Sequence, residues 1–147
     1  GSSYLPSELL AAVLLGQLEA AASIQAARQR VWARYRSELA AWARAAGAVF
    51  QHVPSHCDQP AHVFALLLPD LATRTAFLTH LRERGVQSVF HYQPLHLSEV
   101  GRALGGRPGQ CPVTENIADR LARLPLHAGL TDPELERVLA AVTSFRA

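Results

Sequence analysis

The octapeptide "VFHYQPLH" at residues 89–96 holds the densest set of groups suited to a ligand: His91, Tyr92 and His96 around Pro94. Side chains alternate along a strand, so a strand ending here predicts His91 and Tyr92 on opposite faces, with Pro94 turning the chain to bring His96 back. Two imidazoles and a phenol at such a turn supply donors and acceptors for a polar ligand. The same side chains equally suit a strand end whose histidines are satisfied within the protein. A second cluster, "HVPSHCDQPAH", contains His52, His56, Cys57 and His62. Neutral imidazole and thiolate suit zinc electronically. The spacing follows no recognised zinc pattern and the residues fall on two different expected strands, so exposed loop histidines are the alternative.

Other chemistries find no support. No serine sits in a G-x-S-x-G elbow. There is no phosphate-binding P-loop and no dinucleotide fingerprint, and Gly105–Gly106 is an isolated pair in a loop. All 14 basic residues are arginine. Schiff-base catalysis needs a lysine amine, which this chain cannot supply.

The elements that must position these residues follow from composition and periodicity. At 147 residues, 49% hydrophobic and 18% charged, the chain has the length and balance of one globular domain. A net charge of +2 with dispersed arginines does not argue for nucleic acid. Two cysteines far apart in sequence, Cys57 and Cys111, read as reduced thiols of a cytoplasmic protein rather than a disulfide scaffold. The apolar stretch "LLAAVLLG" has no basic residue before it, so it is not read as a secretion signal. No apolar run reaches the roughly 18 residues needed to cross a bilayer, and a soluble chain is expected.

Ser7 is placed to cap a helix, with Glu8 at the positive end of its dipole. Residues 7–44 lack proline, and Leu10, Leu14, Leu18, Val31, Tyr35, Leu39 and Trp42 fall largely on helical spacings. They predict one unusually long amphipathic helix, or two joined end to end. Its first half carries more apolar surface than a small domain can cover, which calls for a further domain or a partner subunit. Beyond Gly47, "AVFQHV" and "HVFALLL" read as strands. Asp70 or Thr73 starts a helix through "TRTAFLTHLRERG" that stops at Gly85, and "VQSVFHY" reads as a third strand. After the loop "RALGGRPGQCP", a helix is expected over "VTENIADRLARL". A last helix opens at "TDPE", where Thr131 and Glu134 have capping-box spacing. The predicted fold is α+β: a long N-terminal helix leading into a small antiparallel or mixed sheet with helices on one face.

Four segments in this order, "GSSYLPSELLAAVLLGQLEA", "AHVFALLLPD", "VFHYQPLH" and "RLPLHAGLTDPE", resemble the C-terminal part of the DegT/DnrJ family of sugar aminotransferases. The resemblance spans nearly the whole chain. Within the family it is nearest to the transaminases forming dTDP-4-amino-4,6-dideoxygalactose for polysaccharide assembly. It implies the small domain of a fold-type I pyridoxal-phosphate enzyme. Residues 1–46 would be the end of the large domain and the connecting helix, and residues 47–147 the C-terminal small domain. The family's Schiff-base lysine lies upstream of the segment matching "GSSYL", in keeping with its absence here. Residues 1–3 are then read as native sequence rather than cloning residue, because they run on into "YLPSELLAA" where the family has a matching motif.

By the same resemblance, the reaction moves an amino group from glutamate to the 4-keto carbon of a dTDP-6-deoxyhexose, with pyridoxal phosphate as electron sink. Ser2 and Ser3 would reach the cofactor phosphate of a neighbouring subunit, and His91, Tyr92, His96 and His62 would contact the nucleotide-sugar. Gln59 and Pro60 stand where the family more often has an asparagine, and Ala65 where tyrosine is frequent. The resemblance thus implies a truncated piece of a cytoplasmic enzyme, inactive and without bound cofactor by itself, and a homodimer or association through the N-terminal helix. The alternative is a non-catalytic binding or oligomerisation module of the same fold.

Overall fold

A computed structural model describes residues 4–146. The chain begins with α1 (Glu8–Glu19), capped by Ser7, whose Oγ accepts from the Leu10 N–H at 3.3 Å. The expected long helix is broken twice. A 63° bend at Ala20 separates α1 from α2 (Ala21–Glu38), and Leu39 separates α2 from the short α3 (Ala40–Ala45). The apolar stripe changes role at the bend. Val31, Tyr35, Leu39, Trp42 and Ala43 are buried, whereas no residue of α1 is, and Leu10, Leu14 and Leu18 stand open to solvent. Among the described residues no single helix is long and apolar enough to cross a membrane.

Strands β1 (Val49–Phe50), β2 (Phe64–Leu67) and β3 (Leu121–Leu124) form an antiparallel sheet with β2 in the centre. Register places Val49 opposite Leu67, and Phe64 through Leu67 opposite Leu124 through Leu121. Alternation sends Phe64, Leu66, Ala122 and Leu124 into the core and leaves Ala65, Leu67, Leu121 and Arg123 on the other face. Helices cover only the core face, as the α+β reading requires. α4 (Leu71–Glu83) contributes Phe77 and Leu81, one turn apart. The last helix presents Leu135, Val138, Leu139 and Val142 at helical spacing. Trp42 stacks on Phe77 with centroids 5.6 Å apart, Phe77 meets Phe145 at 5.2 Å, and Tyr35 lies 5.1 Å from Phe64.

Several local signals hold. Asp70 Oδ1 accepts from Thr73 N–H at 2.7 Å and starts α4, and Gly85, at φ +70°, closes its end. Thr131 and Glu134 form the capping box of the last helix. Other readings are corrected. "AVFQHV" yields only two strand residues, because the Gln51 side chain takes over the pairing: its Oε1 accepts from Ala65 N–H at 2.7 Å and its Nε2 donates to the Val63 carbonyl at 3.2 Å. "VQSVFHY" is no regular strand, and touches the sheet through one bridge, Val89 to Arg123. The third strand is "LARL", expected as helix. The preceding helix, α6 (Pro112–Arg120), ends at Arg120. Ile117, Leu121 and Leu124 sit at i, i+4 and i+7, which mimics a helical face, and pairing along the whole of β2 overrides it.

The segment 95–112, which ends in the loop read as glycine-rich, contains a 3-10 turn (Leu95–Leu97) and the five-residue α5 (Glu99–Ala103), started by Ser98 Oγ accepting from Gly101 N–H at 3.0 Å. Two of its glycines are required by close approach. A Cβ on Gly101 would meet the Leu95 carbonyl oxygen at 2.0 Å, and one on Gly106 the His96 carbonyl oxygen at 2.1 Å. The helix after β3 and its turn, α7 (Asp132–Ser144), closes the fold.

Candidate functional site

Beyond β3 the chain that carries His91 runs along the sheet's outer edge. Val89 and Arg123 exchange backbone hydrogen bonds, with Arg123 N–H donating at 2.8 Å, and Ser88 Oγ donates to the Arg123 carbonyl. His91 lies two residues beyond Val89 and so falls beside Arg123. Arg123 Nη1 contacts both ring nitrogens of His91, with Nε2 at 2.8 Å. Partial burial, and then the adjacent guanidinium charge, hold the His91 imidazole below its ordinary pKa. It is therefore neutral at physiological pH.

His91 and Tyr92 do not diverge as strand alternation predicts. Their ring centroids are 3.5 Å apart, because the segment has left strand geometry at this point. Both line a cleft of about 840 Å³ between α4 and residues 85–92, with Arg74, Leu78, Arg82 and Phe90 on its walls. The Arg74 guanidinium lies over the Phe90 ring at 4.8 Å and its Nε donates to the Asp119 carbonyl at 2.9 Å. The cleft joins apolar walls to guanidinium, imidazole and phenol donors, a combination that suits an anionic or hydroxyl-rich ligand with an apolar part.

His96 has a different environment. Its Nε2 meets Glu115 Oε1 at 2.9 Å, and the Glu115 carboxylate also accepts from Gly109 N–H at 2.9 Å and Cys111 N–H at 3.2 Å. The Gly109 contact first, then His96, lower the Glu115 pKa. His96 is thus a tie between the 95–97 turn and the start of α6. His62 is exposed and lines a separate shallow cleft with His52 and Cys57, away from the residues that surround His91. Ser2 and Ser3 lie outside the described residues. No three His, Cys, Asp or Glu side chains among the described residues gather closely enough to hold a metal ion. Both cysteines are free thiols.

Gln59, one of the departures in sequence, works on the scaffold. Its Oε1 accepts from Ala61 N–H at 2.9 Å, holding Ala61 at φ +46°, while its Nε2 donates to Gln29 Oε1 of α2 at 3.3 Å and its backbone carbonyl accepts from Gln29 Nε2. Arg123 is the residue that sequence reasoning missed. It lies in the strand misread as helix, where an outward-facing arginine would carry no special meaning.

A small helix-backed antiparallel sheet, with a largely apolar cleft between α4 and the segment that bridges its β3 edge, defines this chain as an α+β domain. It belongs to the DegT/DnrJ/EryC1/StrS aminotransferase family, which matches residues 1–143. It is similar to a dTDP-3-amino-3,6-dideoxy-alpha-D-galactopyranose transaminase of Aneurinibacillus thermoaerophilus, 29% identical over 96 residues that span 65% of this chain and 26% of that protein. Among solved structures it is similar to DesV of S. venezuelae, in complex with a ketimine intermediate, at a TM-score of 0.82 and 28% identity over 93% of this chain and 36% of that one. The aminotransferase TlmJ of Streptoalloteichus hindustanus gives a TM-score of 0.75 and 27% identity over 87% and 33%. The chain spans about a quarter to just over a third of the length of these relatives.

Proposed function

We propose that this chain is the C-terminal portion of a pyridoxal-phosphate-dependent nucleotide-sugar aminotransferase. In this reading residues 1–46 are the end of a large domain and the connecting helix, and residues 47–147 the small domain. The complete enzyme transfers an amino group from glutamate to the 4-keto carbon of a dTDP-6-deoxyhexose, as in the making of dTDP-4-amino-4,6-dideoxygalactose for polysaccharide or lipopolysaccharide assembly in the cytoplasm. The observation that carries the reading is the seating of His91 and Tyr92 together in a cleft lined by Arg74 and Arg82, in a chain that matches the family over residues 1–143. The kinship with a transaminase acting on a dTDP-linked dideoxygalactose supports the sugar-nucleotide class.

Within this reading His91 and Tyr92 meet the nucleotide-sugar directly, His96 shapes the loop through Glu115, His62 acts from the second cleft, and Ser2 and Ser3 approach the cofactor phosphate of a neighbouring subunit. The donor set of this chain does not fit a covalently held pyridoxal phosphate, because the link needs a lysine amine and all 14 basic residues are arginine. The chain alone is therefore inactive, and the exposed apolar α1 is the surface through which it joins the rest of the enzyme or a second subunit. The purified chain mixed with pyridoxal phosphate, glutamate and a dTDP-4-keto-6-deoxyhexose should show neither a cofactor shift in absorbance nor turnover. Turnover by the chain alone would overturn the reading.

A further inference from the structure

Arg123 stands on the open face of the sheet with its charge uncompensated. None of the five ion pairs among the described residues includes it, and its Nε is buried without a hydrogen-bond partner among them. Among the described residues its only side-chain hydrogen-bond contact is with His91, a group that becomes a second cation when protonated. A single Nη1 held against both ring nitrogens cannot make two good hydrogen bonds, since a neutral imidazole offers one acceptor nitrogen. A half-buried guanidinium in such company lacks the anion that normally accompanies it. Directly across the antiparallel register is Ala65, whose side chain offers the guanidinium no polar group. The backbone of Arg123 is pinned on both sides, by Ala65 on β2 and by Ser88 and Val89 on the edge segment, so the side chain projects from a rigid base.

We propose that Arg123 is an anion-binding residue that grips the diphosphate of a nucleotide on the open face of the sheet, with His91 and Tyr92 beside it. The guanidinium fork matches phosphate oxygens two at a time. The bound anion would lie between Arg123 and His91, giving the guanidinium, whose Nε has no partner among the described residues, acceptors and letting the His91 ring donate. The inference rests on the nucleotide-sugar reading for the identity of the anion, and on this chain's own geometry for the residue.

The test uses the full chain. Its histidine ring signals are followed by NMR during titration with inorganic pyrophosphate, with dTDP and with thymidine, for the wild type, Arg123→Gln and Arg123→Lys. Circular dichroism establishes that each variant is folded, and Arg123→Lys, which keeps the charge and much of the volume, covers failure of the glutamine variant. Wild type should bind pyrophosphate and dTDP with a rise in the His91 pKa, while thymidine leaves His91 unmoved. Arg123→Gln should weaken dTDP at least tenfold, and Arg123→Lys should weaken it less. Equal dTDP affinity in wild type and both variants overturns the role of Arg123 and leaves the nucleotide reading standing. An Arg123-dependent response to pyrophosphate with no gain in affinity for dTDP sustains the anion site and removes the nucleotide. No response to either anion in a folded wild type overturns the inference.

Discussion

His96 and Glu115, 19 positions apart in sequence, are joined by a 2.9 Å contact between Nε2 and Oε1, and the same carboxylate accepts from the backbone of Gly109 and Cys111. One side chain therefore organises the loop that follows residues 89–92. His96 owes its position to Glu115, and the tight approach of Gly101 and Gly106 to residues 95 and 96 completes the packing.

Glu115 makes the loop sensitive to acid. Its folded pKa is lowered, so its contribution is present above the ordinary glutamate value of about 4.3 and is lost as pH falls through the folded value. Amide exchange at Gly109 and Cys111 should accelerate as pH drops below that value in the wild type. Glu115→Gln should show fast exchange already at pH 7 and no acid step there.

Tyr35 is fully buried and its hydroxyl donates to the Pro125 carbonyl at 2.7 Å, tying α2 to the turn after β3. Tyr35→Phe leaves that carbonyl without its donor and should cost about 1–2 kcal/mol in urea unfolding. Burial raises the Tyr35 pKa, so wild-type stability should also fall as pH climbs above the ordinary tyrosine value near 10. Tyr35→Phe should lose this part of the alkaline decline, read by comparing melting temperatures across pH 8–11, a range of about three units around that value.

Phe77 has no exposed surface and lies between Trp42 and Phe145. Phe77→Ala should destabilise by about 3–5 kcal/mol, near the whole stability of a small domain. Equilibrium denaturation followed by Trp42 fluorescence checks it, and a loss below about 1 kcal/mol would contradict the packing described.

Helix α1 should behave in the opposite way. With Leu10 63% and Leu14 54% exposed, the double change Leu10→Glu, Leu14→Glu should leave the urea midpoint of the sheet domain within about 0.5 kcal/mol of wild type. A large loss would mean that α1 contributes to the core.

What the sequence alone determined is local or chemical in kind. Ser7, Asp70 and the Thr131 and Glu134 pair mark helix starts because a capping side chain bonds backbone within three residues of itself. The absence of lysine excludes a Schiff base from this chain's own residues. The four ordered segments pointed to the family that residues 1–143 match.

Tertiary structure alone decided the rest. "LARL" fits a helical face and a strand equally by periodicity, and the unpaired edge of β2 chooses the strand. That choice turns Arg123 to the open face, opposite Ala65 and against His91, and Glu115 claims His96 from a different helix. These partners are 19 to 58 residues apart in sequence and are united only by hydrogen-bonding across the sheet and loop, which no local pattern encodes.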